Sequence, residues 1–140
     1  MDIFYVSVCH LTCENINPYS INMKKVMIVE DDQDILYIAS YILEQQGYSV
    51  LPISQCEVAI PEALTYQPNL ILFDINLGNC DGRELCFKLK TEFKLTIPIL
   101  IFSANVHLAS TVSKYKADGF IPKPFDLERL VTTVKEQLRN

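Results

Sequence analysis

No apolar run in the chain reaches the roughly 18 residues that a membrane-spanning helix needs. The amino terminus, MDIFYVSVCH, is apolar but short, and it lacks the basic start of a secretory signal. There is no surplus of positive charge: 12 Lys and Arg stand against 17 Asp and Glu, a formal net charge of −5. That balance gives no bulk attraction to nucleic acid or to an anionic membrane surface. No internal repeat or low-complexity segment stands out. The five cysteines, Cys9, Cys13, Cys56, Cys80 and Cys86, are odd in number and irregular in spacing. They imply neither a disulfide framework nor a zinc site. Cys9, His10 and Cys13 supply three neighbouring ligand types, but no fourth accompanies them. The expectation is therefore reduced cytosolic thiols that serve as small apolar side chains.

What remains is an ordinary globular composition, 49% hydrophobic and 21% charged in 140 residues, enough for one domain with one core. Residues 1–22 read differently from the rest. Their second half, CENINPYSIN, is polar and turn-rich, and Met23 opens a strand-like run. Residues 1–22 are expected to form a poorly ordered extension, with an added strand over Ile3 to Val8 as the alternative, and residues 23–140 to form the domain.

From Lys24 onward, strand patterns alternate with helix patterns. KVMIV is a short β-rich run. QDILYIASYILEQQG places Ile35, Leu36, Ile38, Ala39, Ile42 and Leu43 on one helical face and stops at Gly47. YSVLPI contains Pro52 and suits a sheet edge. The helix pattern in SQCEVAIPEALTYQ is interrupted by Pro61, which predicts a kink or a late start. NLILF, IPILIF and GFI are further strands. DGRELCFKLKTE turns Leu85, Cys86 and Leu89 inward, VHLASTVSKYKA is a weakly patterned helix, and DLERLVTTVKEQLR is amphipathic with Asp126 as its N-cap. Strand and helix thus alternate five times. Nearly continuous apolar strands joined by helices imply a parallel sheet covered on both faces. In such sheets the site lies at the carboxyl ends of the strands.

Those ends carry Glu30-Asp31-Asp32 after the first strand, Asp74 after the third, Ser103 after the fourth and Lys123 after the fifth. Crowded carboxylates call for a hard divalent cation such as Mg2+, a lysine for an anion, and a serine supplies a hydroxyl donor. The set suits a transferring phosphoryl group, with Asp74 as nucleophile. Each residue also has a plain structural use. Acids ahead of a helix cap it and complement its dipole, a use that fits Asp32, and an isolated lysine commonly snorkels.

Taken together, VEDD, LILFDINLGNCDG, PILIFSA and GFIPKPF resemble the receiver domain of two-component response regulators, from about Met23 to Asn140. The resemblance implies a flavodoxin-like (βα)5 doubly wound α/β fold with five parallel strands in the order 2-1-3-4-5. It implies Asp74 as phosphoacceptor, with Mg2+ held by Glu30, Asp31, Asp74 and the backbone carbonyl of Asn76. It further implies Ser103 as switch hydroxyl, Phe120 as switch aromatic, Lys123 as phosphate partner, a cis Lys123–Pro124 bond, and Gly82 closing the loop before the third helix. Asn76 and Asn105 occupy the positions that tune hydrolysis of the acyl phosphate. Both are short amides able to orient water, which predicts a short-lived phosphorylated form.

The implied partners are a histidine kinase or phosphotransfer protein upstream, and a protein docking on the face of the fourth helix, fifth strand and fifth helix downstream. No direct nucleic-acid or membrane contact is implied, and the location is cytoplasmic. The protein is expected to catalyse only its own phosphorylation and dephosphorylation. Because the chain stops with the last helix, it reads as a stand-alone or an excised receiver.

Three departures from the family pattern stand out. Gly78 replaces a common proline, the stretch from Ser103 to Lys123 is about two residues short with weak helix formers, and Phe120 lacks a tyrosine hydroxyl. A haloacid-dehalogenase-type hydrolase needs an aspartate where Asn76 stands. A flavin carrier needs a phosphate loop where EDDQD stands. A phosphate-independent interaction module on the same fold is the remaining alternative.

Overall fold

The structure, a computed structural model, describes residues 23–139. The extension over residues 1–22, with its possible strand and the Cys9–His10–Cys13 group, lies outside the described residues. From there the elements run β1 (Lys25–Val29), α1 (Gln33–Gln45), β2 (Ser49–Ile53), a 3-10 turn η1 (Cys56–Val58), α2 (Ala59–Tyr66), β3 (Leu70–Asp74), β4 (Asn76–Leu77), β5 (Cys80–Asp81), α3 (Gly82–Thr91), β6 (Ile99–Ser103), a 3-10 helix η2 (Val106–Tyr115), β7 (Gly119–Pro122) and α4 (Leu127–Leu138).

Five strands form one sheet in the order β2-β1-β3-β6-β7, and every pairing is parallel. Counted along the chain without the two-residue hairpin β4–β5, this is the order 2-1-3-4-5. Apolar runs become central strands because both of their faces need cover. All five residues of β3 and of β6 are buried. Alternation then divides the core into two layers. Met27, Val29, Ile71, Phe73, Ile99 and Ile101 face α2, α3 and η2, whereas Val26, Ile28, Leu70, Leu72, Leu100 and Phe102 face α1 and α4. Pro52, which cannot donate a ladder hydrogen bond, stands on the edge strand β2.

The helix starts follow local chemistry. Asp32 Oδ1 accepts from the Asp34 and Ile35 amides at the head of α1. Asp126 Oδ1 accepts from the Arg129 amide at the head of α4. Pro61 falls in the first turn of α2, where its missing N–H costs little, so the helix starts late, after η1.

Three features differ from the sequence expectation. The buried stripe of α1 is Leu36, Ala39, Ser40 and Leu43, and Ile38 lies outside it at 51% exposed. The fourth helix is 3-10 over its whole length. Within it Thr111 Oγ1 bonds back to the Leu108 carbonyl at 2.7 Å, a local bond that competes with regular α geometry. Finally, Cys56 and Cys80 are joined in a disulfide with their Cα atoms 6.2 Å apart. The thiols expected to be free are therefore not all free. The pair is 24 residues apart in sequence, and only the fold brings η1 against the β4–β5 hairpin. Cys86 is a free, buried thiol, as expected, and burial pushes it up to about 12.

Candidate functional site

Strand register assembles the site. Val29 pairs with Phe73, so the next residues, Glu30 just past β1 and Asp74 at the last position of β3, lie side by side. Ser103 pairs with Pro122, and the Lys123 amide donates to the Ser103 carbonyl at 2.8 Å. Lys123 thus emerges next to Ser103, ahead of a cis Lys123–Pro124 bond. The four strand ends singled out in the sequence converge at one edge.

The carboxylates of Glu30, Asp31 and Asp74 each present an oxygen within 4.8 Å of the others. Glu30 is 1% exposed, Asp74 is buried, and Asp31 stands open to solvent. Lys123 Nζ bridges the two buried acids, 2.5 Å from Glu30 Oε1 and 3.3 Å from Asp74 Oδ1. Its ammonium also lies 4.7 Å from the centre of the Phe102 ring. The second Glu30 oxygen accepts from the Asp32 amide at 3.1 Å. Burial, with Asp74 adding to it, pushes the Glu30 carboxyl up to about 7 against the opposing pull of Lys123 and the Asp32 amide. An all-oxygen, acidic cluster of this kind fits Mg2+.

The loop after Asp74 closes as a short hairpin. Asn76 pairs with Asp81 and Leu77 with Cys80 across the hairpin, and Gly78 turns it at φ +74°. Gly82 begins α3 directly over the end of β3. A β-carbon built there would lie 1.9 Å from the Asp74 carbonyl oxygen, and this is the physical reason for glycine. Asn76 is exposed, and its backbone belongs to the hairpin beside Asp74.

Ser103 is buried, and its hydroxyl accepts from the Asn105 amide at 3.1 Å. Asn105 Oδ1 in turn accepts from the His107 amide at 3.1 Å and caps η2. The Asn105 side chain therefore already has a structural task. Phe120 is half-buried and packs on the layer facing η2.

Sequence reasoning missed a clamp between the hairpin and η2. Arg83 donates through Nε and Nη2 to the two Asp81 oxygens, at 3.1 and 2.8 Å, and through Nη1 to Thr111 Oγ1 at 2.9 Å. Its guanidinium lies 5.0 Å from the Tyr115 ring centre. Burial alone raises the Asp81 carboxyl, but the Arg83 fork outweighs burial and holds it below the usual value. Asp81 caps α3 from two residues before Arg83, whereas Thr111 stands 28 residues on and is brought to Arg83 only by the fold.

Residues 26–135 match the family model for the response regulator receiver domain. The chain is 36% identical over 118 residues to the alkaline phosphatase synthesis transcriptional regulatory protein PhoP of Bacillus subtilis, covering 83% of this chain and 49% of that protein. It is 34% identical over 119 residues to the response regulator ArlR of Staphylococcus saprophyticus, covering 84% and 53%. The chain thus spans about half the length of the curated relatives it matches. Among solved structures, it resembles a CheY-like response regulator receiver domain protein of Methanospirillum hungatei, with 28% identity, a TM-score of 0.78, and coverage of 84% of this chain and 95% of that one. It also resembles a two-component response regulator of Clostridium difficile, with 28% identity, a TM-score of 0.78, and coverage of 84% and 98%.

Proposed function

The chain belongs to the response regulator receiver family, and on that premise we propose that it accepts a phosphoryl group on Asp74 from the phosphohistidine of a histidine kinase or phosphotransfer protein. The convergence of Glu30, Asp31, Asp74, Ser103 and Lys123 at one sheet edge carries this reading. An Asp74 Oδ attacks phosphorus, forming an O–P bond as the P–N bond breaks, and the histidine nitrogen keeps the electron pair. Glu30, Asp31 and Asp74, with the Asn76 carbonyl, would hold Mg2+, which would supply charge neutralisation for the transferring phosphoryl oxygens.

The remaining work belongs to side chains already in place. Lys123 lies within 3.3 Å of Asp74 and re-aims its ammonium from Glu30 to a phosphoryl oxygen. Ser103 Oγ, which accepts from Asn105, has its own hydrogen available to donate to a second phosphoryl oxygen. Movement of Ser103 pulls on the head of η2, and Phe120 adjusts its half-buried ring. The surface of η2, β7 and α4 thereby shifts between pre-existing states and changes its affinity for a protein partner. The protein turns over no other substrate, acts in the cytoplasm, and touches neither nucleic acid nor membrane through this domain.

Labelling by a small acyl phosphate donor tests the reading. Labelling is expected to require Mg2+ and to vanish in Asp74→Asn. Undiminished labelling of that variant moves the acceptor elsewhere, and absence of labelling in the parent favours a phosphate-independent interaction module.

A further inference from the structure

The Cys56–Cys80 bond spans the edge of the proposed phosphorylation site. Cys80 sits on β5, directly paired with Leu77, and one residue before Leu77 is Asn76, whose carbonyl is proposed to face Mg2+. Cys56 opens η1, three residues after the last residue of the edge strand β2. Besides the disulfide, the two loops are joined by a 3.5 Å hydrogen bond from Asn79 Nδ2 to Glu57 Oε2. That contact is long and exposed, so the covalent bond is the principal tie. One groove of about 560 Å³ runs between these loops, and its lining includes Asp31, Cys56, Gly78 and Asn79. The groove thus has in its lining both Asp31, whose residue is exposed, and Cys56, so the disulfide lies beside the space next to the acidic cluster. The hairpin itself is only two residues per strand and turns at a glycine, so it has little stiffness of its own.

We propose that Cys56 and Cys80 form a reversible redox latch that holds the β4–β5 hairpin in the geometry that binds Mg2+. This rests on the proposed phosphoryl-acceptor reading of the same site. Closure is a two-electron oxidation by a small-molecule disulfide. One cysteine thiolate attacks the oxidant and releases one glutathione thiolate, the second attacks the resulting mixed disulfide and releases the other, so that two protein thiols plus one glutathione disulfide give one protein disulfide and two glutathione thiols. Opening is the reverse, driven by excess reduced thiol. A cytoplasmic protein with a stable structural disulfide would be unusual, whereas a redox-sensing one fits that compartment. With the latch open, the Asn76 carbonyl loses its fixed position. Supports of this kind, one step removed from a metal, commonly change affinity by 10-fold or more.

The test measures Mg2+ affinity by amide chemical-shift titration of the whole chain, equilibrated in oxidised or reduced glutathione, with differential alkylation and peptide mapping to locate the bond. The Cys56→Ser/Cys80→Ser variant retains every other thiol and serves as control. The oxidised parent is expected to map a Cys56–Cys80 link and to bind Mg2+ about 10-fold tighter than the reduced parent. The variant is expected to match the reduced parent in both buffers. Equal affinities for the two parent forms overturn the latch while leaving the metal site standing. No Cys56–Cys80 link in oxidising buffer overturns it as well. If neither form binds Mg2+, the acceptor reading falls and takes the latch with it.

Discussion

The first residue of α3, Gly82, stands so close to Asp74 that a β-carbon would lie 1.9 Å from the Asp74 carbonyl oxygen and 3.2 Å from the Phe73 Cβ. Both neighbours belong to a buried central strand, so neither can yield cheaply. Gly82→Ala is expected to cost about 2 kcal/mol of stability or more by overpacking, and to slow phosphorylation by displacing Asp74. Urea unfolding of the two proteins checks this. Equal midpoints at equal slope would show that the strand tolerates the shift.

Burial pushes Glu30 above its ordinary value of 4.5 to about 7. The folded protein therefore holds this proton more tightly than the unfolded chain. The stabilisation it brings is complete below about 4.5 and is lost as pH rises through about 7. In metal-free protein, a carboxyl carbon titration of Glu30 is expected to show a midpoint near 7, and Mg2+, which favours the ionised form, is expected to lower it. Removing the ammonium in Lys123→Ala is expected to raise the midpoint further. A midpoint at the ordinary carboxylate value in metal-free protein would contradict the account of this buried acid.

The Arg83 fork joins the β4–β5 hairpin to η2 through Asp81 and Thr111. Lysine retains the charge but cannot reproduce a planar fork. Arg83→Lys is expected to loosen η2 and to speed amide hydrogen exchange across residues 106–115, with little change in β3. Unchanged exchange there would mean that η2 is held by its apolar contacts alone.

The Cys56–Cys80 bond closes a loop over a sequence separation of 24. Loop-closure entropy gives it about 3 kcal/mol of stabilisation. Reducing the parent is expected to lower its unfolding free energy by that amount, and Cys56→Ser/Cys80→Ser is expected to be insensitive to reductant. A reductant effect that persists in the variant would assign the stabilisation to another thiol pair.

Legibility in the sequence divides along a physical line. Sheet strands, helix order and the strand-end residues Glu30, Asp74, Ser103 and Lys123 follow from local runs, because burial of both faces demands continuous apolar residues and the register does the rest. The Asp32 and Asp126 caps were legible for the same reason, since a cap acts within three residues. The illegible features depend on contacts between distant segments. Cys56 and Cys80 meet only across two loops, and Arg83 finds Thr111 and Tyr115 only when η2 is folded. Ser40, rather than Ile38, is buried on α1 because the neighbouring layer sets the stripe. The 3-10 form of η2 was half legible, in that ASTVS signalled a weak helix but not the form that replaces it.

The central claim is that Asp74 carries the phosphoryl group. Borohydride reduces an acyl phosphate to an alcohol, so an aspartyl phosphate at position 74 becomes homoserine. After treatment with a small phosphodonor and Mg2+, then borohydride, the peptide spanning β3 to α3 is sequenced by mass spectrometry. The account predicts homoserine at position 74, dependent on Mg2+ and on the donor. Homoserine at another aspartate, or an unmodified Asp74 in protein that has demonstrably taken up phosphate, would contradict it.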